Sequence, residues 1–335
     1  MKSISMLGIS VLLALCFSRN YSGETMADNE NKVEAEKLLR QAEELTDIRA
    51  PGGPAFRLAA RVTLFEENGQ TREGTYELIW RAPTDWQDKL RVGDFSQERT
   101  AVVDKLFVDR KTPSLTLEVY QLLKLLEFPA LLHYSSEAKP QGLKERIRDG
   151  VHERVIEVGY RGQSTRDMIS LDGSSPIPTL VGHQRSPSAY QFENYMAFNG
   201  HQFPRTLTRL KSNRKLIQVQ VQELTEVTGD NSTVVSSRDA RWHLWCPHPE
   251  RMTPQNPGKV YPIPWPLRDG ALERPVAIYG VIGTDGRWQN LTVVKSGGKE
   301  VDEFRLNQLR QERFFPARCG EVPVPLEFVV EFPSN

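Results

Sequence analysis

Apolar residues recur along this chain with two periods. From Phe56 to Phe65 they fall on every second position, at Phe56, Leu58, Ala60, Val62 and Leu64, with Arg57 and Arg61 on the opposite face. That is the signature of a half-buried strand. Further strands are expected over 75–80, 86–92, 101–103, 106–108, from about 151 to 160, 167–171, 188–195, 204–210 and 217–221. In the last of these Ile217, Val219 and Val221 alternate with Gln218, Gln220 and Gln222. Asn68-Gly69, Asp172-Gly173 and Asn199-Gly200 punctuate the series as turns.

The helical period appears twice before residue 130. Over 28–48, Ala35, Leu38, Leu39, Ala42 and Leu45 form one stripe, Asp28 or Asn29 can cap the start, and Pro51-Gly52-Gly53-Pro54 ends it. After Pro113-Ser114, a stripe of Leu115, Val119, Leu122 and Leu126 is widened by Leu117, Leu123 and Leu125. A helix apolar on most sides is covered by protein or itself covers something. Two readings stay open: a helix buried against the sheet, or a lid over an apolar cavity lined by Leu115, Val119, Leu122 and Leu126. Many antiparallel strands with one apolar face and two helices make a curved half-open sheet wrapped over helices. The fold class is α+β.

The N-terminus reads as a leader. Lys2 precedes a nearly unbroken apolar run over 6–17, shorter than the roughly 20 residues a bilayer requires but suited to a signal peptide. Cleavage is expected after Ala27 or near Gly23. Acylation at Cys16 is a further option, although Leu15 is larger than lipoprotein signals prefer. An uncleaved anchor is a third option, and each route places residues 28–335 outside the cytoplasm, in the periplasm of a bacterial cell. There Cys246 and Cys319 are the remaining cysteines, and an oxidising compartment favours pairing them.

Residues 229–258 change character: Gly229-Asp230-Asn231-Ser232 is polar, and Pro247, Pro249, Pro254 and Pro257 crowd the remainder of the stretch. A partly stiff linker is expected here, flanked by Trp242 and Trp245 as structural anchors. It separates a domain over 28–228 from one over 259–335, as the length of 335 residues suggests. Lys+Arg and Asp+Glu both total 43, which argues against nucleic-acid binding through a general basic field. No nucleotide loop, hydrolase elbow or zinc-protease motif occurs. His243, Cys246 and His248 are metal ligands by type but lack a standard spacing. We therefore expect no metal, no cofactor and no enzyme.

Ordered features in the last 75 or so residues carry a resemblance. Tyr261-Pro262 precedes a polar segment ending near Gly270. Val276–Ile282 runs into the turn Gly283-Thr284-Asp285-Gly286-Arg287, and a strand over 290–295 ends at Ser296-Gly297-Gly298. A short helix from Asp302 carries Leu306, Leu309 and Arg310, then come Phe314-Phe315-Pro316-Ala317 and a last strand over 322–332. This series resembles the C-terminal domain of the TonB energy-transducer family. It departs at Arg274-Pro275, where Gly and a small residue are usual, and at Phe314, where Trp is common. The resemblance implies a three-stranded sheet with one helix, whose last strand, through Leu326, Phe328 and Val330, receives an extended segment of an outer-membrane receptor by strand addition. Completing the core, or pairing with a second copy in a homodimer, are the other roles for that strand. Residues 30–227 more weakly resemble the LolA/LolB lipoprotein carriers, on Tyr195, Asn199-Gly200, Phe203-Pro204 and the stretch 217–227. That resemblance implies a concave apolar face holding acyl chains. The main expectation is a periplasmic docking protein acting in transmembrane transport. The alternative is a lipid or lipoprotein carrier with the C-terminal domain as accessory.

Overall fold

The computed structural model describes residues 26–128, 138–148, 150–160, 166–183, 187–228, 240–246, 252–255 and 275–332. Residues 1–25 of the leader, with Cys16, and also His248 lie outside them. Among the described residues no helix is long and apolar enough to cross a membrane.

Helix α1 (Met26–Thr46) opens the described chain. It starts ahead of the expected caps, so Asp28 and Asn29 lie inside its first turn. Five strands follow as a meander: β1 (Phe56–Phe65), β2 (Thr71–Ala82), β3 (Asp85–Val92), β4 (Phe95–Val102) and β5 (Lys105–Arg110). Helix α2 (Leu117–Leu126) comes next, capped by the Thr116 hydroxyl, which accepts from the Val119 amide at 3.3 Å. A second meander contains β6 (Ala138–Arg148), β7 (Val151–Tyr160), β8 (Arg166–Asp172), β9 (Pro178–His183), β10 (Ser188–Phe198), β11 (His201–Lys211) and β12 (Arg214–Glu226).

The two meanders fuse because β12 returns beside β1. Val62 opposes Val219 and Leu64 opposes Ile217, so the two cleanest alternations in the sequence share one apolar face. With β13 (Arg241–Leu244) on the β5 edge, a 13-stranded sheet runs in the order β13-β5-β4-β3-β2-β1-β12-β11-β10-β9-β8-β7-β6. Thus part of the expected linker over 229–258 extends the sheet: Trp242 opposes Phe107 and His243 opposes Leu106. Another part, β14 (Thr253–Pro254), pairs forward with Phe314–Phe315.

The C-terminal part holds β15 (Val276–Ile282), β16 (Trp288–Lys295), α3 (Lys299–Gln311), β17 (Phe314–Phe315), β18 (Arg318–Cys319), β19 (Val322–Pro323) and β20 (Leu326–Phe332). Its main sheet has the order β16-β15-β20. The expected final strand over 322–332 is broken. β19 pairs with β18 as a separate small ladder before Leu326 begins β20. At the β15–β16 turn Gly286 has φ +71°, and a Cβ there would strike the Phe314 carbonyl. The Gly286 carbonyl itself accepts from the Phe314 amide at 3.0 Å.

Both faces of this small sheet are used. Val276 and Ile278 pack with Val301 and Leu309 of α3. Ala277, Tyr279 and Val329, on the opposite parity, join the core of the large sheet. The two parts therefore share one apolar cluster. A disulfide between Cys246, just beyond β13, and Cys319 ties them covalently, with a Cα–Cα distance of 5.7 Å.

Candidate binding face

Helix α1 packs chiefly against β6 and β11, which stand five places apart in the strand order. Five strand spacings in a flat sheet cover roughly 24 Å. A rod resting mainly on those two strands crosses the strands between them. Facing it are Ile156 and Val158 on β7, Ile169 and Leu171 on β8, Val181 on β9 and Phe192 on β10, all buried. Phe128 reaches Phe192 at 4.5 Å and Phe203 at 6.0 Å between ring centroids.

Helix α2 packs on β11 and β12 from one side and on β20 from the other. The four residues expected to line a cavity, Leu115, Val119, Leu122 and Leu126, are buried, as are Leu117, Leu123 and Leu125. The structure thus places the helix as a wedge between the large sheet and the C-terminal strand. Its C-terminal carbonyl at Leu126 accepts from the Arg49 guanidinium at 2.9 Å. Close by, Asp88 on β3 takes Arg99 through several guanidinium contacts, and the Tyr76 hydroxyl donates to it at 3.3 Å. Burial, reinforced by the Asp88 charge, pushes the Tyr76 phenol far above its ordinary range.

A second polar group lies at the junction with the C-terminal sheet. The buried Arg110 side chain donates to both Glu327 oxygens, at 3.0 and 3.3 Å, to the Tyr279 hydroxyl at 3.2 Å and to Gln97 at 3.0 Å. Tyr279 donates to Glu327 at 2.7 Å. Burial would raise the Glu327 carboxyl, but the Arg110 hydrogen bond and charge, with the Tyr279 hydroxyl, hold it below the usual carboxylate value. The Tyr279 phenol is pushed up to about 12 by burial and then by Glu327. His243, beside the cluster, is held below its ordinary value by burial against the opposing pull of Glu327. Lys211 of β11 adds a second tie, to Glu331 of β20 at 3.0 Å.

One cation on the core face differs from these. Arg209 on β11 is 6% exposed, and its Nε and Nη1 are buried without a hydrogen-bond partner among the described residues. It stands opposite Tyr190 on β10 and Ile217 on β12. Sequence reasoning missed it, because Arg205 and Lys211 share its parity in β11 and only Arg209 among the three is buried.

The expected docking residues sit on β20 with their side chains on the α3 side. Leu326 packs near Cys246, Ala317 and Val324, Phe328 meets Trp288 edge-on at 6.4 Å, and Val330 opposes Ile278. Beyond β20 no strand pairs among the described residues. Of the residues that are metal ligands only by type, Cys246 is committed to the disulfide, and no cluster of metal-ligating side chains occurs among the described residues. Trp245 anchors β13 by packing edge-on to Trp86 at 5.5 Å. Trp242 is 57% exposed beneath the Lys105 ammonium.

No family model matches the sequence, and no curated protein matches it. Among solved structures, the chain is similar to a LolA-superfamily protein from Nitrosomonas europaea at 12% identity, with 59% of this chain and 95% of that one covered and a TM-score of 0.40. It is similar to a DUF1329-family protein from Desulfovibrio piger at 10% identity, with 60% and 95% covered and a TM-score of 0.42. It also matches MucB, solved with MucA from Pseudomonas aeruginosa, at 13% identity, 68% and 72% coverage and a TM-score of 0.25. Likeness at this level carries no weight on ligand or partner. Nothing in it supports the TonB-type expectation for residues 259–335.

Proposed function

We propose that this protein is a non-enzymatic carrier of apolar or acylated ligands in the periplasm, with the C-terminal sheet as an accessory cover. The observation that supports this reading is the broad apolar face of the large sheet, covered by α1 and α2. A face of this kind suits an acyl chain, because an apolar chain gains about 0.8 kcal/mol for each methylene taken from water. The test is mass spectrometry of lipids retained by the full chain purified from envelope extract, together with uptake of the neutral probe N-phenyl-1-naphthylamine. Retained acyl lipids and probe uptake are expected; a protein that holds no lipid and takes up no probe overturns the reading.

A second reading keeps the docking role for β20, in which an outer-membrane receptor or other envelope protein adds a strand there. One observation favours it. Edge β6 carries Pro140, a register break and Lys139, Lys144, Arg146 and Arg148; β16 has register breaks; β13 is four residues long. Such features blunt an edge. β20 pairs with β15 over seven residues with no break, which leaves it the most regular edge for strand addition. Capture of a TonB-dependent receptor by the full chain, lost in a folded Phe328→Pro variant, is the expected result; equal capture by that variant removes β20 from the interaction.

A further inference from the structure

Arg209 is a buried cation without a counter-ion among the described residues. The other buried guanidiniums at the core and junction meet a carboxylate, Arg99 at Asp88 and Arg110 at Glu327. Arg209 meets none of those described, and its Nε and Nη1 make no hydrogen bond among the described residues. A guanidinium cannot shed its charge at any ordinary pH, so burying it alone is strongly unfavourable. Folding does not require this position to be charged, since its neighbours Leu207 and Ile217 are each 1% exposed and Phe192 is 2% exposed.

The strand geometry holds the side chain in place. β11 and β12 slip register between Arg209 and Leu210, so Arg209 opposes Ile217 while Leu210 opposes Lys215. Bulges of this kind re-aim a side chain and are common beside binding sites. Two residues further along β11, Lys211 already binds Glu331 of the C-terminal strand. Arg209 therefore lies on the core face about one pleat from the junction, roughly 7 Å along the strand.

We infer that Arg209 receives the anionic head of a single-chain amphiphile, a carboxylate or a phosphate monoester, whose alkyl chain lies along the apolar face. This rests on the carrier reading and gives it a ligand class. The planar fork of the guanidinium matches both heads through two parallel hydrogen bonds. Apart from the Tyr190 hydroxyl opposite, the neighbours Leu207 and Ile217 offer a free inorganic ion nothing beyond that fork, so the chain and the head are recognised together.

The test is calorimetric titration of the full chain with dodecanoate, dodecyl phosphate, dodecyltrimethylammonium and inorganic phosphate, with N-phenyl-1-naphthylamine as the neutral probe. The anionic amphiphiles are expected to bind at least about tenfold more tightly than the cationic one, the scale of a charge-assisted pair. Arg209→Gln is expected to erase that preference by weakening the anionic amphiphiles far more than naphthylamine. Arg209→Met is expected to do the same and to raise the thermal midpoint of the empty protein, and it serves if Arg209→Gln does not fold. An anionic preference that survives in a folded variant, or inorganic phosphate binding as tightly as dodecyl phosphate, overturns the inference. Naphthylamine uptake with no anionic preference overturns the inference and leaves the carrier reading standing. Failure of naphthylamine and every amphiphile to bind ends both.

Discussion

Arg110 on β5 and Glu327 on the last strand, 217 residues apart, form a two-point ion pair at the junction of the two sheets. The Tyr279 hydroxyl lies between them, donating to Glu327 and accepting from Arg110. The Arg110 side chain is 8% exposed and that of Glu327 31%. The pair is thus buried on one partner and half-solvated on the other, and it orients β20 against α2.

Breaking that pair should loosen the C-terminal sheet. Arg110→Gln is expected to cost about 2 kcal/mol, less than a wholly buried pair because Glu327 keeps water. The cost is read by urea unfolding. The Glu327 carboxyl is held low in the fold, so its contribution is present above the unfolded value of 4.5 and lost as pH falls through the folded value. Glu327→Gln should therefore destabilise at pH 7 and have a diminishing effect toward pH 3. An effect of equal size at both pH values would show that the charge is not what matters there.

The Cys246–Cys319 bridge spans 73 residues. Closing a loop of that length in the unfolded chain stabilises by roughly 4 kcal/mol in the chain-entropy model. Reduction, or the Cys246→Ser and Cys319→Ser double variant, should lower the unfolding midpoint accordingly. Thiol titration after denaturation without reductant should find none from this pair; two reactive thiols from Cys246 and Cys319 would remove the bridge.

The wedge role of α2 makes a packing prediction. Leu122 is 0% exposed, and Leu122→Ala should cost about 2–5 kcal/mol. A cost below about 0.5 kcal/mol, measured on the ligand-free protein, would mean that the residue faces a space the fold tolerates as empty, and α2 would then be a lid rather than a wedge.

Strands with one buried face were legible in the sequence. Phe56–Phe65 and Val276–Ile282 fall on the expected bounds, because strict alternation or a continuous apolar run leaves no other period to compete. β6 was not legible: in Ala138–Arg148 only Leu143 and Ile147 are large and apolar, Pro140 argues against a strand, and Ile147 is 75% exposed. It is an edge strand whose pairing with β7 is decided by the hairpin. β13 was hidden because Arg241–Leu244 lies in a proline-rich stretch and is held by β5 and by Trp245 packing on Trp86. The junction was illegible in principle, since no local pattern links Arg110 to Glu327. Likewise Arg209 looks like any strand cation until its neighbours are known to be apolar.

Glu43 on α1 gives the last prediction. Burial first, then the charge of Asp47, outweighs the lowering pull of Arg40 and raises its carboxyl from 4.5 to about 7. The folded chain therefore holds a proton at Glu43 that the unfolded chain releases near pH 4.5. Stability from this site is greatest below that value and falls as pH rises from about 4.5 to about 7. Glu43 is only partly buried, so solvent screening reduces the loss to roughly 1–2 kcal/mol. Glu43→Gln keeps the side chain neutral at every pH. It should leave stability at pH 4 nearly unchanged, raise it at pH 8 and flatten the slope between them. Thermal unfolding of both proteins from pH 4 to 8 measures this directly. Parallel curves across that range would mean that Glu43 titrates alike in the folded and unfolded chain, and that α1 carries its acidic C-terminal turn without cost.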